Sequence, residues 1–333
     1  MADPSTNPIR WGILATGKIA HAFAADLALL PDAHLVAVGS RTMTSARTFA
    51  DEYAADRAYS SYADLAADPD VDIVYVATPH ALHLDNVLTC FEAGKAVLCE
   101  KALALTTADA RRLVQEARAR GLFFCEAMWM RTNPTIRKLV GLVRSGRCGQ
   151  IRQVRADLGF LAPADPASRL WDPALGASAL LDVGIYPLTF AHLVLGPPSG
   201  VRAAAVLSDG GVDVNGGATL TYDSGAVASI SWTQTAWSDN AASIAGDRGR
   251  IEVAAGMHEP PSFDYVDGEG RETFTEPVIG RGYAHEAAEA MRCLRAGEIE
   301  SPLIPLDETV DIMALMDEIR SQVGAASPPG QGG

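Results

Sequence analysis

The stretch Ala96-Val97-Leu98-Cys99-Glu100-Lys101 decides how the rest of the chain is interpreted. Its four apolar residues are typical of a buried strand, and an acid and a base follow where such a strand leaves its sheet. Ligands bind at the carboxyl ends of strands in open α/β sheets, so the pattern predicts that Lys101 faces a bound ligand. Lysine is rare in this chain, with residues only at positions 18, 95, 101 and 138, which weakens the alternative of a solvated surface charge.

Length and composition restrict the class of protein. A chain of 333 residues with 48% apolar and 20% charged residues predicts a folded protein of about two domains. The net charge of −14 argues against a nucleic-acid partner. Five cysteines without a C-x-x-C pair indicate reduced thiols and no metal site. Residues 1–8 do not resemble a signal peptide and no apolar run approaches about 20 residues, so we expect a soluble, cytoplasmic protein with no membrane partner.

A strand, a tight turn and a helix open the chain. The turn has the pattern G-x-x-A-x-G, in which Gly12, Ala15 and Gly17 precede a helix that ends before Pro31. Unpaired N–H groups at a helix N-terminus favour a phosphate, so the turn predicts a dinucleotide site. The alternative is simple helix–sheet packing, because one such turn is a weak motif. The predicted cofactor contacts here are Gly12, Ala15, Thr16, Gly17, Lys18 and Ile19.

The next strand predicts which dinucleotide binds. Residues 35–38 form an apolar run that ends in Gly39-Ser40-Arg41, where an NAD site usually presents an acid to the ribose 2′-hydroxyl. Ser40 and Arg41 offer a hydroxyl and a guanidinium instead. Since a guanidinium suits a 2′-phosphate, we expect NADP rather than NAD.

Strand and helix patterns alternate up to about residue 128. Residues 71–78 and 123–125 read as further strands, and Thr106 with Asp109 forms a capping box for a helix between them. This alternation predicts a doubly wound parallel sheet, which we assign to residues 9–128.

From residue 129 the pattern changes to a run of strands between helices. This indicates an α+β domain over residues 129–325 with a large, mostly antiparallel open sheet. One face of such a sheet is free for a partner subunit, so we expect a homodimer or a dimer of dimers through it. The predicted strands are 151–161, 201–207, 218–222, 226–233 and 250–253, and the predicted helices are 136–143, 178–195 and 306–323. Residues 326–333 form a Pro/Gly/Ser tail that we expect to be disordered.

Several segments together resemble one family, the glucose-fructose oxidoreductase and inositol dehydrogenase family (Gfo/Idh/MocA). The resemblance spans almost the whole chain and is closest to the dimeric dihydrodiol dehydrogenases and the NADP-dependent D-xylose dehydrogenases. The segments that carry it are residues 12–20, 77–79 with His83, 93–101, 126–129 with Arg131, 179–186 and 301–303.

The resemblance implies a Rossmann domain and a catalytic set. Lys101 corresponds to the lysine of the family's E-K-P motif, which contacts the reacting oxygen and the cofactor ribose; Ala102 replaces the proline. Tyr186 corresponds to the general acid/base, and Asp182, one helical turn earlier, would orient Lys101 or a substrate hydroxyl. These roles fit alcohol oxidation, which needs a base and a nearby positive charge. The alternative for Tyr186 and Asp182 is a buried tyrosine and a helix cap.

Other candidates carry open alternatives. Thr78, Pro79 and Glu100 are expected at the cofactor, with His80 and His83 lining the nicotinamide pocket unless they only cap a helix. For the substrate we expect an aromatic wall of Trp129, Phe160 and Trp171, although aromatic residues are also common in cores. Arg131 is expected to bind substrate or to pair with an acid.

Two competing dehydrogenase classes fail on the sequence. A short-chain dehydrogenase needs Y-x-x-x-K, whereas Phe190 follows Tyr186 by four positions, and the scattered cysteines give no zinc ligand set. We therefore predict an NADP-dependent oxidoreductase acting on a secondary alcohol or ketone of a sugar, a polyol or a cyclic diol. The alternatives are a keto-sugar reductase of a biosynthetic or catabolic pathway and a non-catalytic NADP-binding sensor.

Overall fold

The structure is a computed structural model that describes residues 7–163, 165 and 168–325. The described chain divides into two compact units, one of residues 7–132 and 278–310 and the other of residues 133–277 and 311–325. The expected disordered tail, 326–333, lies outside the described residues, as does most of the N-terminal segment considered for a signal peptide.

A six-stranded parallel sheet forms the core of the first unit, in the order β3-β2-β1-β4-β5-β6. Every residue of β4 and β5 is buried, as expected for a parallel sheet covered on both faces. The strands are β1 (Ile9–Leu14), β2 (Ala33–Gly39), β3 (Arg57–Tyr59), β4 (Ile73–Val76), β5 (Ala96–Glu100) and β6 (Phe124–Ala127). The strand order reverses between β1 and β4, which marks the edge where ligands bind in such sheets.

The helices of this unit begin and end at residues with a clear physical reason. The predicted capping box is confirmed, since the Thr106 hydroxyl accepts the N–H of Asp109 at 3.1 Å. Gly121 then ends the same helix with a φ of +64°, a conformation that glycine adopts readily. The helices are α1 (Lys18–Leu27), α2 (Met43–Tyr53), α3 (Tyr62–Ala66), α4 (His83–Glu92) and α5 (Thr107–Arg120).

An eight-stranded sheet forms the second unit, in the order β14-β13-β12-β11-β7-β10-β9-β8. All neighbouring pairs are antiparallel except β7 with β10. Its elements are α6 (Pro134–Arg144), β7 (Ile151–Gly159), α7 (Ile185–Leu195), β8 (Gly200–Leu207), β9 (Asp213–Thr221), β10 (Val227–Thr233), β11 (Ala242–Gly246), β12 (Arg250–Val253), β13 (Phe263–Val266) and β14 (Arg271–Phe274). The predicted fold class is confirmed for both sheets.

Two helices complete the chain, α8 (Tyr283–Ala296) and α9 (Leu306–Val323). Helix α8 belongs to the first unit, where the Asp26 carboxylate accepts the N–H groups of Arg281 and Ala284 at its start. The sequence-based domains placed residues 278–310 with the second domain, whereas the structure groups them with the first sheet.

The predicted helix over residues 178–195 is two helical forms in succession. Leu180–Gly184 is a π-helix, in which the Ile185 N–H bonds the Leu180 carbonyl oxygen, and α7 follows. Pro187 lacks an N–H and cannot continue the α-helical bonding back to Val183, which explains the irregular turn before it.

The same region corrects one expectation about apolar runs. Among the described residues, the segment Pro173–Leu195 is long and apolar enough to cross a membrane by length and composition, with a mean hydropathy of 1.5. The prediction that no run reaches this length is therefore wrong. Inside the fold 83% of its apolar window is buried, which is the burial of a core helix.

Candidate functional site

The turn between β1 and α1 has the geometry of an anion cradle. Ala15 adopts a φ of +80° and donates its N–H to the Gly39 carbonyl at 2.9 Å, so a non-glycine residue holds a strained position here. Gly12 packs closely, since a Cβ there would lie 3.1 Å from the side chain of Val71, which would have to move to admit it. Gly17 precedes α1 and no described side chain caps the helix, which leaves its first N–H groups to a ligand.

The carboxyl end of β2 lies beside this turn. The Ser40 hydroxyl is buried and 3.1 Å from the hydroxyl of Thr16, so a hydrogen bond joins the turn to the strand end. Arg41 is exposed, as are Gly17 and Lys18 in the turn. Burial raises the pKa of the Tyr62 phenol, and the charge of Arg41 acts against this rise, which places the guanidinium near that phenol. A positive charge is therefore accessible next to the turn.

The loop that carries Lys101 is held by histidine side chains. Lys101 follows β5 directly and is partly buried, and its peptide bond to Ala102 is cis. His80 Nε2 lies 3.1 Å from the Lys101 carbonyl oxygen. His83 is fully buried and its Nδ1 lies 3.0 Å from the Ala102 carbonyl oxygen. The two histidines predicted at the cofactor thus contact the backbone on which Lys101 is placed.

His83 bridges two loops. Its Nε2 lies 2.8 Å from the Thr78 carbonyl oxygen, while its Nδ1 faces the carbonyl oxygens of Ala102 and Leu103. Only an N–H can satisfy a carbonyl, so both bonds together would need the imidazolium. Burial lowers the pKa of His83, and the charge of Lys101 lowers it further. The neutral ring, with one donor, is therefore the form we assign at neutral pH.

The remaining predicted cofactor residues lie at the same edge of the sheet. Thr78 is buried and its hydroxyl accepts a bond from the Asn86 amide at 3.2 Å, while Pro79 is half-buried. Glu100, the last residue of β5, is buried and its carboxylate accepts a short hydrogen bond from the Tyr75 hydroxyl. Burial and the charge of Glu100 raise the pKa of Tyr75 far above its ordinary value, so Tyr75 stays a donor.

A buried glutamate supports the Lys101 loop from the neighbouring strand. Glu126 lies in β6, is 4% exposed, and accepts the Leu103 N–H at 3.0 Å. Burial raises the pKa of Glu126 to about 7, against the effects of its hydrogen bonds and of the charges on Arg131 and Lys101. Glu126 belongs to the segment 126–129 that carries the family resemblance, and no role was predicted for it.

Tyr186 and Asp182 lie in the second unit, at the start of α7 and in the π-helix before it. Both are buried, with exposures of 6% and 8%. The Asp182 carboxylate pairs with the Arg169 guanidinium through two contacts of 3.2 and 3.4 Å. The Tyr186 ring lies 5.1 Å, centroid to centroid, from the imidazole of His258. Arg169 and His258 were missed because each stands in a loop without a recognisable pattern.

Helix α7 is fixed at its N-terminal side by buried polar groups. The Asp213 carboxylate accepts the Leu180 N–H at 2.7 Å and the indole N–H of Trp232 at 3.1 Å. Gly184 is needed because a Cβ there would lie 3.0 Å from the Trp232 ring. A buried carboxylate and a close aromatic contact therefore set the direction in which this helix carries Tyr186.

The predicted substrate residues have mixed surroundings. Trp129 is buried and stacks on Tyr283 with ring centroids 4.5 Å apart, which is the core alternative for this residue. Phe160 and Trp171 are half-buried, and the Trp171 indole donates to the Pro163 carbonyl at 2.8 Å. Arg131 forms a short ion pair with Glu308, the second of its two predicted roles.

The described residues contain no group of three or more histidine, cysteine or acidic side chains arranged to hold a metal ion. The candidate side chains can carry out proton transfer and charge stabilisation. A lysine fixed at a strand end beside an anion cradle can stabilise negative charge on a ligand oxygen. A buried tyrosine can transfer a proton.

Comparison with known proteins agrees with these features. Residues 9–127 match the family model described as oxidoreductase family, NAD-binding Rossmann fold, and residues 136–252 match the GFO/IDH/MocA C-terminal domain. The chain is 36% identical to trans-1,2-dihydrobenzene-1,2-diol dehydrogenase of Bos taurus, over 96% of this chain and 98% of the relative. The corresponding protein of Xenopus laevis is also 36% identical, over 96% and 99%.

Two solved structures are similar over nearly their whole length. An aldose-aldose oxidoreductase from Caulobacter crescentus, complexed with glycerol, has a TM-score of 0.88 at 24% identity, with 96% of this chain and 98% of that one covered. A 3-ketoreductase from Actinomadura kijaniata, in complex with TDP-benzene and NADP, has a TM-score of 0.83 at 26% identity, with 95% and 98% covered.

Proposed function

Because this chain belongs to the GFO/IDH/MocA oxidoreductase family, we propose that it is an NADP-dependent dehydrogenase of a sugar, a polyol or a cyclic trans-diol. It acts on a secondary alcohol or the matching ketone. The relatives at 36% identity carry the name of a diol dehydrogenase over their full length, which supports this substrate class.

The observation that carries the proposal is the placement of Lys101. It stands at the carboxyl end of β5, and the backbone after it is contacted by buried side chains. In the same sheet, on the far side of β4, the strands β1 and β2 end in an anion cradle. A lysine with no task there would not need so fixed a backbone. We propose that the cofactor is held by the turn from Gly12 to Ile19, Ser40, Arg41, Thr78, Pro79 and the end of β5.

The reaction divides among the chain's own groups. When bound, the nicotinamide accepts or returns the hydride. In the oxidative direction the Tyr186 phenolate takes the hydroxyl proton and becomes the phenol, and the Lys101 ammonium stabilises the oxygen as negative charge develops on it. In reduction Tyr186 returns the proton. The Arg169 ion pair fixes the Asp182 carboxylate, which we propose orients a substrate hydroxyl.

Replacing the two central groups tests the mechanism. We expect Tyr186→Phe and Lys101→Met to lower kcat at least about 100-fold while the Kd for NADPH stays within about threefold, because neither is needed to hold the nucleotide phosphates. The assay follows nicotinamide absorbance with aldoses, inositols and aromatic dihydrodiols. Tyr222 is a buried tyrosine directly after β9. Tyr222→Phe therefore serves as the matched control, and we expect it to keep full turnover. Full turnover by Tyr186→Phe would remove the phenol from the mechanism.

A keto-sugar reductase is the second candidate. The similarity to a 3-ketoreductase from Actinomadura kijaniata favours it. The two candidates differ in the substrate that gives the higher kcat/KM. A preference for a keto-sugar with NADPH over every alcohol with NADP would select the reductase.

We propose that the protein forms a homodimer through the open face of its large sheet. Exposed side chains on that face are mostly small or polar, as on Ala204 of β8, Thr219 of β9 and Ser229 of β10, so a second copy can pack closely against it. Sedimentation velocity should give a dimer that Ser229→Arg dissociates. We also propose a cytoplasmic location, which the five buried cysteines without a disulfide support.

A further inference from the structure

The backbone after Lys101 is held from more than one side. His80 and His83 contact the carbonyl oxygens of Lys101 and Ala102. The Leu103 N–H points the other way and is accepted by Glu126 Oε1 at 3.0 Å. Three consecutive residues are therefore fixed by three side chains from different elements.

The second oxygen of Glu126 has a partner of its own. Thr309, in the first turns of α9, donates its hydroxyl to Glu126 Oε2 at 3.2 Å. Both residues are buried, with exposures of 4% and 2%. Neither bond can be replaced by water without opening the core, so the carboxyl group ties the loop to the helix.

We propose that Glu126 is a positioning residue for Lys101, acting through the Leu103 N–H and the Thr309 hydroxyl. The inference rests on the proposed function, in which the Lys101 ammonium stabilises the reacting oxygen. Glu126 touches neither substrate nor cofactor in this role. It fixes the backbone from which the lysine side chain extends.

The charge of Glu126 gives this role a measurable signature. Burial brings the pKa of Glu126 to about 7, so its carboxyl group ionises within the working range of the enzyme. The ionised form attracts the Lys101 ammonium, an interaction that a neutral amide cannot supply. The charged and titratable groups around Glu126 are Lys101 on the loop after β5, Cys99 in β5, Cys125 in β6, Arg131 after β6, and Glu308 of α9, which pairs with Arg131.

The test compares three variants. Glu126→Gln keeps an oxygen for the Leu103 N–H and gains an amide that can donate to Thr309, but it loses the charge. Glu126→Leu keeps the approximate volume and loses both bonds. Thr309→Val keeps the shape of the helix and removes one bond, and it stays informative if the leucine variant fails to fold.

We expect a graded loss of kcat with the Kd for NADPH within about threefold of the unmodified protein. Glu126→Leu should lose about 50-fold at every pH and Thr309→Val about threefold, since one bond remains. The kcat of Glu126→Gln should match that of the unmodified protein at pH 6 and fall about fivefold below it at pH 8. The amide does not ionise, so this variant loses the rise in kcat that ionisation of Glu126 near pH 7 produces. Glu286 is another buried glutamate, so Glu286→Gln is the matched control. It should keep the rise in kcat near pH 7.

The outcomes separate this inference from the proposed function. Glu126→Gln with an unchanged pH profile and Glu126→Leu with unchanged kcat would overturn the positioning role. Equal inactivity of both Glu126 variants at every pH would also overturn it, because the conservative amide would then fail to rescue. Full turnover by Lys101→Met would remove the role of Lys101 on which this inference rests, whereas no turnover of any tested alcohol or ketone by the unmodified protein would defeat the proposed function itself.

Discussion

Arg41→Ala should convert the proposed NADP preference into near-equal use of both dinucleotides. Arg41 is exposed and follows Ser40, whose hydroxyl is already bonded to Thr16. The guanidinium brings to this strand end a positive charge and several N–H donors suited to a 2′-phosphate. NAD lacks that phosphate, so its binding should not respond to the substitution.

The magnitude follows from the exposure of the arginine. A hydrogen bond to a charged group contributes about 1.5–3 kcal/mol. Solvent and salt screen an exposed guanidinium, so we take the lower end, about 1.5 kcal/mol, which corresponds to a change of about tenfold in Kd. We expect Arg41→Ala to weaken NADPH about tenfold and NADH less than twofold. Raising the salt from about 0.05 to 0.5 M should narrow the difference between the variants, because it screens the same charge.

The assay is fluorescence titration of NADPH and NADH, with kcat/KM for both oxidised cofactors at saturating substrate. Arg47→Ala removes another exposed arginine from α2, away from the strand end, and serves as the control for general charge effects. If Arg47→Ala weakens NADPH as much as Arg41→Ala, the effect is one of net charge. Equal kcat/KM of the unmodified protein with NAD and NADP would refute the reasoning about Ser40 and Arg41.

Two further predictions concern stability and pH. Lys95→Met should lower the free energy of unfolding by about 2–3 kcal/mol in urea titrations, because the buried Lys95 ammonium donates to the carbonyl oxygens of Asp68 and Val71 at 2.6 and 2.8 Å. The control is Lys138→Met, at a half-exposed lysine, which should change the free energy of unfolding by less than about 0.5 kcal/mol. For Glu286, burial and then the charges of Glu100 and Asp26 raise the pKa well above its ordinary value, so the folded state binds a proton that the unfolded state releases above about pH 4.3. The stabilisation from that proton is present at low pH and is lost as the pH rises toward the pKa of Glu286 in the folded protein. Between pH 5 and 7 the unmodified protein should therefore lose stability relative to Glu286→Gln by up to about 1.4 kcal/mol per pH unit. Parallel stability curves for the two proteins would contradict this assignment.

Local patterns predicted the first sheet well because each signal lies within a few residues. The turn from Gly12 to Gly17, the strand end at Ser40 and the strand before Lys101 are each contiguous in sequence. The structure places them along one edge of the sheet, with β4 between β1 and β5. The turn sequence Asp223-Ser224-Gly225 likewise lies between the antiparallel strands β9 and β10, whose two segments were predicted. Short-range chemistry of this kind needs no knowledge of the tertiary fold.

Two of the strands that were missed lack such signals. β11 is Ala242–Gly246, a run of small residues with little strand preference, and β14 is Arg271–Phe274, where charged residues dominate. Their pairing in the sheet decides their conformation. Segment 278–310 was likewise placed with the second domain by its position in the chain, although Asp26 binds the start of its helix in the first unit.

The partners of the candidate catalytic groups were missed for a related reason. Arg169 meets Asp182 across 13 residues of irregular chain, and Thr309 meets Glu126 across 183 residues. No periodicity links such pairs. Without an observed contact, an arginine or threonine at these positions looks like any other polar residue.

A strand end fixes where the backbone of a lysine lies and leaves the ammonium on four rotatable bonds. Catalysis by a positive charge depends on holding that charge to within a fraction of an ångström of the developing anion. The N–H of Leu103 is bonded by Glu126, and the carbonyl oxygens of Lys101 and Ala102 lie within hydrogen-bonding distance of histidine rings, so backbone freedom is reduced before substrate arrives. Preorganisation of this kind makes the buried side chains that bind the loop as consequential for turnover as groups that touch the substrate. The effect of replacing Glu126 should therefore fall on kcat rather than on cofactor affinity.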